Sequence, residues 1–254
     1  MTAAMPPTAP EPSDRNGGPG TGTRIARKPG VRRFVRDNGI SLAFGVAFLL
    51  ALAGQAIAGW TEFNNQLATD GLAQIGFLAY LASSDFAVDV TENWQSEYLQ
   101  FFLYIFATVW LLQRGSPESK EMHKAGPESD KDQRVGEHAG PDSPRWAGVG
   151  GVRQAVFSRS LGLVMAALFL LSWLAQSIAG VAAYNEQQLR QLQAPIGWTQ
   201  YIASADFWSR SLQNWQSELL AVASMAILSV YLRQRGSPES KPVGTPHTST
   251  GVEG

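Results

Sequence analysis

Glu97 and Glu218 each close the pentapeptide NWQSE, three residues past a tryptophan and immediately before an apolar run, Tyr98 to Leu112 in one case and Leu219 to Leu232 in the other. A carboxylate at the edge of such a run is costly unless it is paired, protonated or in reach of water. Gln55 and Gln176 lie at similar depth, about four residues from the far end of a preceding apolar run. The expectation is therefore two buried polar pairs, Gln55 with Glu97 and Gln176 with Glu218. Eleven residues make about three helical turns, so Thr108 returns to the face of Glu97 and Ser229 to that of Glu218. A carboxylate at one end and a hydroxyl near the other could line a narrow hydrated path, or they could form a packing seam with each hydroxyl bonded to its own i−4 carbonyl.

Little else suggests chemistry. His123, His138 and His247 are scattered through polar segments without the spacing of metal ligands. There is no cysteine, which excludes disulfides and thiolate catalysis, and no nucleophile elbow, phosphate-binding loop or dinucleotide fingerprint. Neither enzymatic activity nor a cofactor is expected. A net charge of −1 gives no electrostatic case for nucleic acid.

The elements that must position these residues come in duplicate. Residues 31–120 match residues 152–241 at a constant offset of 121, with 37 identities in 90 gap-free positions. Many matches are polar: QxIAG at Gln55 and Gln176, ASxDF at Ala82 and Ala203, NWQSE at Asn93 and Asn214, QRGSPESK at Gln113 and Gln234. A shared polar pattern of this length points to duplication rather than to similar hydrophobicity. The expected organisation is a disordered tail over 1–30, a first two-span unit over 31–120, a flexible linker over 121–151, a second unit over 152–241 and a disordered tail over 242–254. The tails and linker are rich in Pro, Gly, Ser, Glu and Lys and lack the apolar surface that would offset chain ordering.

Ile40 to Trp60 is 21 residues without a charge, enough to cover the hydrocarbon layer as an uncleaved anchor, and Leu161 to Val181 is its counterpart. The second apolar run of each unit is short, so its helix should begin near Asn93 or Trp94, and near Asn214 or Trp215. Leu72 to Ser83 and Pro195 to Ser204 are apolar but too short to cross, which suggests an interfacial or re-entrant helix in each hairpin loop. The fold expected is an all-α integral membrane protein of four transmembrane helices, a tandem duplication of a two-span hairpin with parallel repeats.

Arg24, Arg27, Lys28, Arg32, Arg33 and Arg36 precede the first span, whereas no Lys or Arg occurs between the first span and the second. Bases also cluster after the second span, before the third and after the fourth, so both termini are expected to be cytoplasmic; Arg190 and Arg210 weaken the contrast without reversing it. Trp60, Trp94 and Trp215 read as interfacial anchors, and Arg114 and Arg235 as bases within reach of lipid headgroups. Asn64, Asn185, Gln66, Gln187, Asp85 and Asp206 read as caps and loop hydrogen-bonders or as a shared polar rim. Ser116 and Ser237, each followed by Pro-Glu, read as helix N-caps. The expected partners are the lipid bilayer and a second copy or another membrane protein.

The run of NNQ, IGF or IGW, ASxDF, NWxSE and QRGSxESK, here Asn64 to Gln66, Ile75 to Phe77, Ala82 to Phe86, Asn93 to Glu97 and Gln113 to Lys120, resembles a bacterial membrane protein family known only as a domain of unknown function. The resemblance spans most of residues 31–241 and implies a bacterial inner-membrane protein, with no catalytic residues to transfer. Glu92 against Gln213, Asn65 against Glu186 and Gln74 against Pro195 depart from strict repetition and argue against two identical sites. On this reading the chain is a structural or interaction protein of the membrane, with a small oligomeric channel or transporter with membrane-embedded carboxylates as the alternative and a membrane enzyme as the least favoured one.

Overall fold

The structure is a computed structural model that describes residues 30–252. Arg24, Arg27, Lys28 and nearly all of the expected 1–30 tail lie outside the described residues. Among these there is no strand; the chain runs through α1 (Val31–Asp37), α2 (Gly39–Thr69), α3 (Phe77–Leu81), α4 (Ser84–Trp110), α5 (Gly151–Phe157), α6 (Ser160–Arg190), α7 (Trp198–Ile202) and α8 (Ala205–Tyr231). The boundaries of α6, α7 and α8 lie 121 residues beyond those of α2, α3 and α4. Two compact units divide within α2, one ending at Leu52 and the other beginning at Ala53.

Two helices, α2 and α6, are long and apolar enough to cross a membrane. At 31 residues each they outrun the apolar stretches that nucleate them by about two turns. The extensions, Thr61–Thr69 and Ala182–Arg190, are polar but contain no Gly or Pro, so nothing stops the helix. Each ends in a reversal in which an amide reaches back five residues: Leu72 N–H donates to Leu67 O at 2.8 Å, and Gln193 N–H to Gln188 O at 2.8 Å. That turn requires a left-handed residue, supplied by Gly71 at φ +72° and by Leu192 at φ +57°.

The second helices also differ from expectation. They start at Ser84 and Ala205, about nine residues before Asn93 and Asn214, because Ser83 and Ser204 cap them: each hydroxyl accepts from the amide three residues on, Phe86 N–H and Phe207 N–H, both at 3.3 Å. Asp85 and Asp206 are therefore first-turn residues, favoured there by the helix dipole, and not the caps themselves. The apolar hairpin segments form helices of only five residues, α3 and α7.

The main packing seam of the larger unit runs along α4 and α6, and α8 also packs against α4. Trp173 on α6 stacks on Phe169 and Phe207 and meets Trp208 and Trp215 edge-on or tilted, a ring cluster that joins α6 to α8. Trp215 spends its indole N–H on Gln95 Oε1 at 2.7 Å, and Trp60 on Ile75 O at 2.8 Å, so both anchor protein to protein; Trp94 is exposed.

The QRGSPESK segments start no helix, contrary to the expected Ser-Pro-Glu caps. Each folds into the same loop: Ser116 and Ser237 hydroxyls accept from Glu118 and Glu239 amides at 3.3 Å, and Ser119 and Ser240 hydroxyls accept from Gln113 and Gln234 amides at 2.9 Å. Such local side-chain turns compete with helix for the same amides. Gly115 and Gly236, at φ +85° and +82°, supply the left-handed position. The terminal lysine then ties down the chain six residues later: Lys120 Nζ donates to Gly126 O at 3.0 Å, Lys241 Nζ to His247 O at 2.8 Å. Arg114 and Arg235 remain exposed.

Candidate functional site

Beyond the apolar stretches, the polar ends of α2 and α6 and the first turns of α4 and α8 enclose a cleft of about 670 Å³, within the 300–1,000 Å³ range of small-molecule sites. Its shape begins with two glycines. Gly59 and Gly180 let Tyr80 and Tyr201 lie against the backbones of α2 and α6; a Cβ at either glycine would collide with the tyrosine hydroxyl. Both tyrosines are buried, Tyr80 among Phe63 and Phe86, Tyr201 among Tyr184 and Phe207.

Asn64 and Asn185 fix the loops that deliver those tyrosines. Each carboxamide makes a two-point clamp on the backbone eleven residues later. Asn64 Oδ1 accepts from Ile75 N–H at 2.8 Å while its Nδ2 donates to Ile75 O at 3.0 Å; Asn185 holds Ile196 in the same way at 2.8 and 2.9 Å. An asparagine presents one donor and one acceptor side by side, which is the pattern a backbone residue offers in return.

Charge in the cleft is divided unevenly. Six carboxylates line it, Glu62, Asp70, Asp85, Asp89, Glu186 and Asp206, against two guanidiniums, Arg190 and Arg210. Both arginines belong to the second matching segment, and both reach the first. Arg190 pairs with Glu186 at 2.5 Å and Asp70 at 3.9 Å and lies over the Phe63 ring; Arg210 pairs with Glu92 at 3.2 Å and Asp206 at 3.5 Å. Their counterparts in the first segment are Thr69 and Asp89.

Asp85 and Asp89, half-buried and one turn apart on α4, have no ion-pair partner within 4 Å among the described residues; Asp85 accepts from Ser84 Oγ at 3.5 Å and from its own backbone amide. Burial pushes both carboxyls above the usual aspartate range, with Glu186 adding to the rise at Asp85, against the pull of Arg190 on Asp85 and of Arg210 on Asp89. Burial does the same at Glu92, against the pull of Arg210. Desolvation works against the Arg210 guanidinium, but Glu92 and Asp206 outweigh it and hold the proton more firmly. Tyr201, buried and bonded through its hydroxyl to Asp206 at 3.2 Å, is also pushed up.

The pairs expected from depth alone are not made. Gln176 is fully buried with no hydrogen-bond partner for either amide atom, and Glu97 is exposed on α4. Equal depth on two helices brings side chains together only when both face the shared seam, and Glu97 does not. Instead Glu218 lies across α4 and α8 from Glu97, with Gln100 donating to the Glu218 carbonyl at 3.2 Å. Thr108 bonds to the Tyr104 carbonyl at 2.8 Å, the packing arrangement, and Ser229 is buried. None of Gln55, Glu97, Gln176, Glu218, Thr108 or Ser229 lines the cleft. Asp89 and the two arginines as cleft residues were missed; the signal was a pair of charge-changing positions between otherwise matching segments.

The profile of a family described as a domain of unknown function, DUF6766, matches residues 31–252. The chain belongs to that family. Its match takes in every residue of the cleft, both QRGSPESK loops and the linker between the segments. No curated protein and no solved structure matches the chain.

Proposed function

We propose that the chain is a four-span membrane protein built from two copies of a two-span unit, acting through ligand or partner binding in the cleft between the copies rather than by catalysis. The observation that carries this is the cleft itself: walls from both segments, fixed by glycine–tyrosine contacts and asparagine clamps, around two aspartates, Asp85 and Asp89, that form no ion pair among the described residues. The distribution of Lys and Arg supports a cleft on the outer side of a bacterial inner membrane with both termini in the cytoplasm. A chain with no cysteine makes the test direct. Gln66→Cys, on the cleft rim, should react in intact cells with a membrane-impermeant maleimide, and Ser237→Cys should react only after the membrane is opened. The reverse pattern would remove an outward-facing cleft.

A second reading, conduction, draws on Gln176. A buried amide with both atoms unpartnered calls for water, and Gln176 sits one turn along α6 from the cleft residue Gly180. Ion flux through liposomes that disappears in the Glu97→Gln/Glu218→Gln protein, while insertion persists, would favour it over binding alone; absence of flux in the wild type would exclude it.

A further inference from the structure

The second segment contains its own example of what the first one lacks. At Tyr201 and Asp206, a guanidinium fills the space beside the carboxylate: Arg210, one turn on, places Nε 3.5 Å from Asp206 Oδ2, and the Tyr201 hydroxyl donates to the same oxygen at 3.2 Å. The corresponding residues of the first segment are Tyr80, Asp85 and Asp89. Tyrosine and aspartate are retained, with the tyrosine packed against its glycine in both, but the arginine is replaced by a second carboxylate. Where the second half-site holds a cation supplied by the chain, the first holds two aspartates with no ion pair and an opening into the cleft. Neither arginine can move over to serve them without giving up Glu92, Asp206, Glu186 or Asp70.

We propose that the first half of the cleft binds a small organic cation bearing a guanidinium or primary ammonium group, held between Asp85 and Asp89 beside Tyr80. This rests on the cleft being the working site and names the chemistry of its ligand. Two carboxylates one helical turn apart can share a planar guanidinium through charge-assisted hydrogen bonds, and the tyrosine hydroxyl and ring add a polar contact and an aromatic wall. The remaining volume suits a ligand of small-molecule size, and the lining rings Phe63, Tyr80, Tyr184 and Tyr201 offer contact for an apolar body.

The test uses the full chain in detergent or nanodiscs, with methylguanidinium and agmatine as probes and tetramethylammonium as a cation that cannot donate hydrogen bonds. Calorimetric titration should show the two guanidinium compounds binding at least tenfold more tightly than tetramethylammonium. Asp89→Arg, which recreates in the first segment the arrangement already present in the second, should abolish that binding and leave the thermal midpoint unchanged or raised. Asp85→Asn should weaken it at least tenfold, and decides the matter if Asp89→Arg fails to fold. No binding by the wild type, binding that does not distinguish the three cations, or binding equal in wild type and both variants would each overturn the proposal. The maleimide experiment reports on the exposure of the cleft whatever cation binds there, so the two readings fail separately.

Discussion

At the scale of single residues, the cleft depends on side chains that do several things in a small space. Asn64 satisfies both backbone groups of Ile75 and is buried. Removing it leaves the Ile75 N–H without a partner, costing about 1–3 kcal/mol, while Trp60 still donates to the Ile75 carbonyl. Asn64→Ala should therefore lower the thermal midpoint and free the α2–α3 loop for proteolysis, and Asn185→Ala should do the same at α6–α7; an unchanged midpoint in both would show that the clamps are dispensable. Asp89 contributes in the opposite sense. Burial raises its carboxyl pKa, so over the interval between the ordinary value and the raised one the folded state holds more protons than the unfolded state. The contribution is fully present below the unfolded pKa and is lost as pH rises through the folded one. Asp89→Asn should thus be more stable than the wild type at pH 7, with the advantage shrinking to nothing below about pH 4, checked by thermal midpoints between about pH 3 and 8. Such effects were out of reach of the sequence, in which Asp89 is one acid in an acidic loop; only the structure shows that its neighbour cations are already committed.

Helices were legible wherever apolar runs were long, and their ends were not. The apolar stretches of α2 and α6 were evident, but two further turns continue through polar residues with good helix propensity because the cleft and the Asn clamps hold them. The starts of α4 and α8 lie where apolar residues alternate with acids and serines instead of forming a run, and the serine caps mark them. One consequence of the matching turns concerns the exits of α2 and α6. Gly71 takes the left-handed position without penalty, whereas Leu192, highly exposed, takes it with a side chain that gains no burial there. The left-handed conformation costs a non-glycine residue about 1–2 kcal/mol. Leu192→Gly should stabilise the protein by about 1 kcal/mol, part of the gain being offset by the greater freedom of glycine in the unfolded chain. Gly71→Leu should destabilise it by a similar amount. A thermal-shift comparison of the two variants checks the argument, and opposite signs are the expected outcome.

For the whole molecule, the repeat itself was plain in the sequence, while its asymmetry was visible only in part. Glu92 against Gln213 and Asn65 against Glu186 stood out as departures, but their meaning depends on Arg210 and Arg190, which reach those glutamates, one from across the segments and one from within its own helix. The first segment carries Asp70 and Glu92, the second carries Arg190 and Arg210, and the pairs Arg190–Asp70 and Arg210–Glu92 join the two. Two first segments facing one another would set Glu92 against Asp89 and Asp70 against Thr69, and two second segments would set Arg210 against Gln213 and Arg190 against Gln191, so neither arrangement keeps the two ion pairs. The split therefore favours the pairing of unlike halves within a chain over the pairing of like halves between chains. Arg210→Glu should destabilise the protein and raise its tendency to self-associate, because Glu92 and Asp206 then face a third carboxylate. Adding Glu92→Arg should recover part of the loss, since the reversed pair restores one attraction while Asp206 also gains a nearby cation. Arg210 is partly exposed, so solvent screening limits the coupling to about 1 kcal/mol or less. A double-mutant cycle on thermal midpoints, with oligomer size measured in the same detergent, decides it. Simple additivity of the two substitutions, with no change in size for Arg210→Glu, would mean that the fit between the halves does not depend on this charge pair.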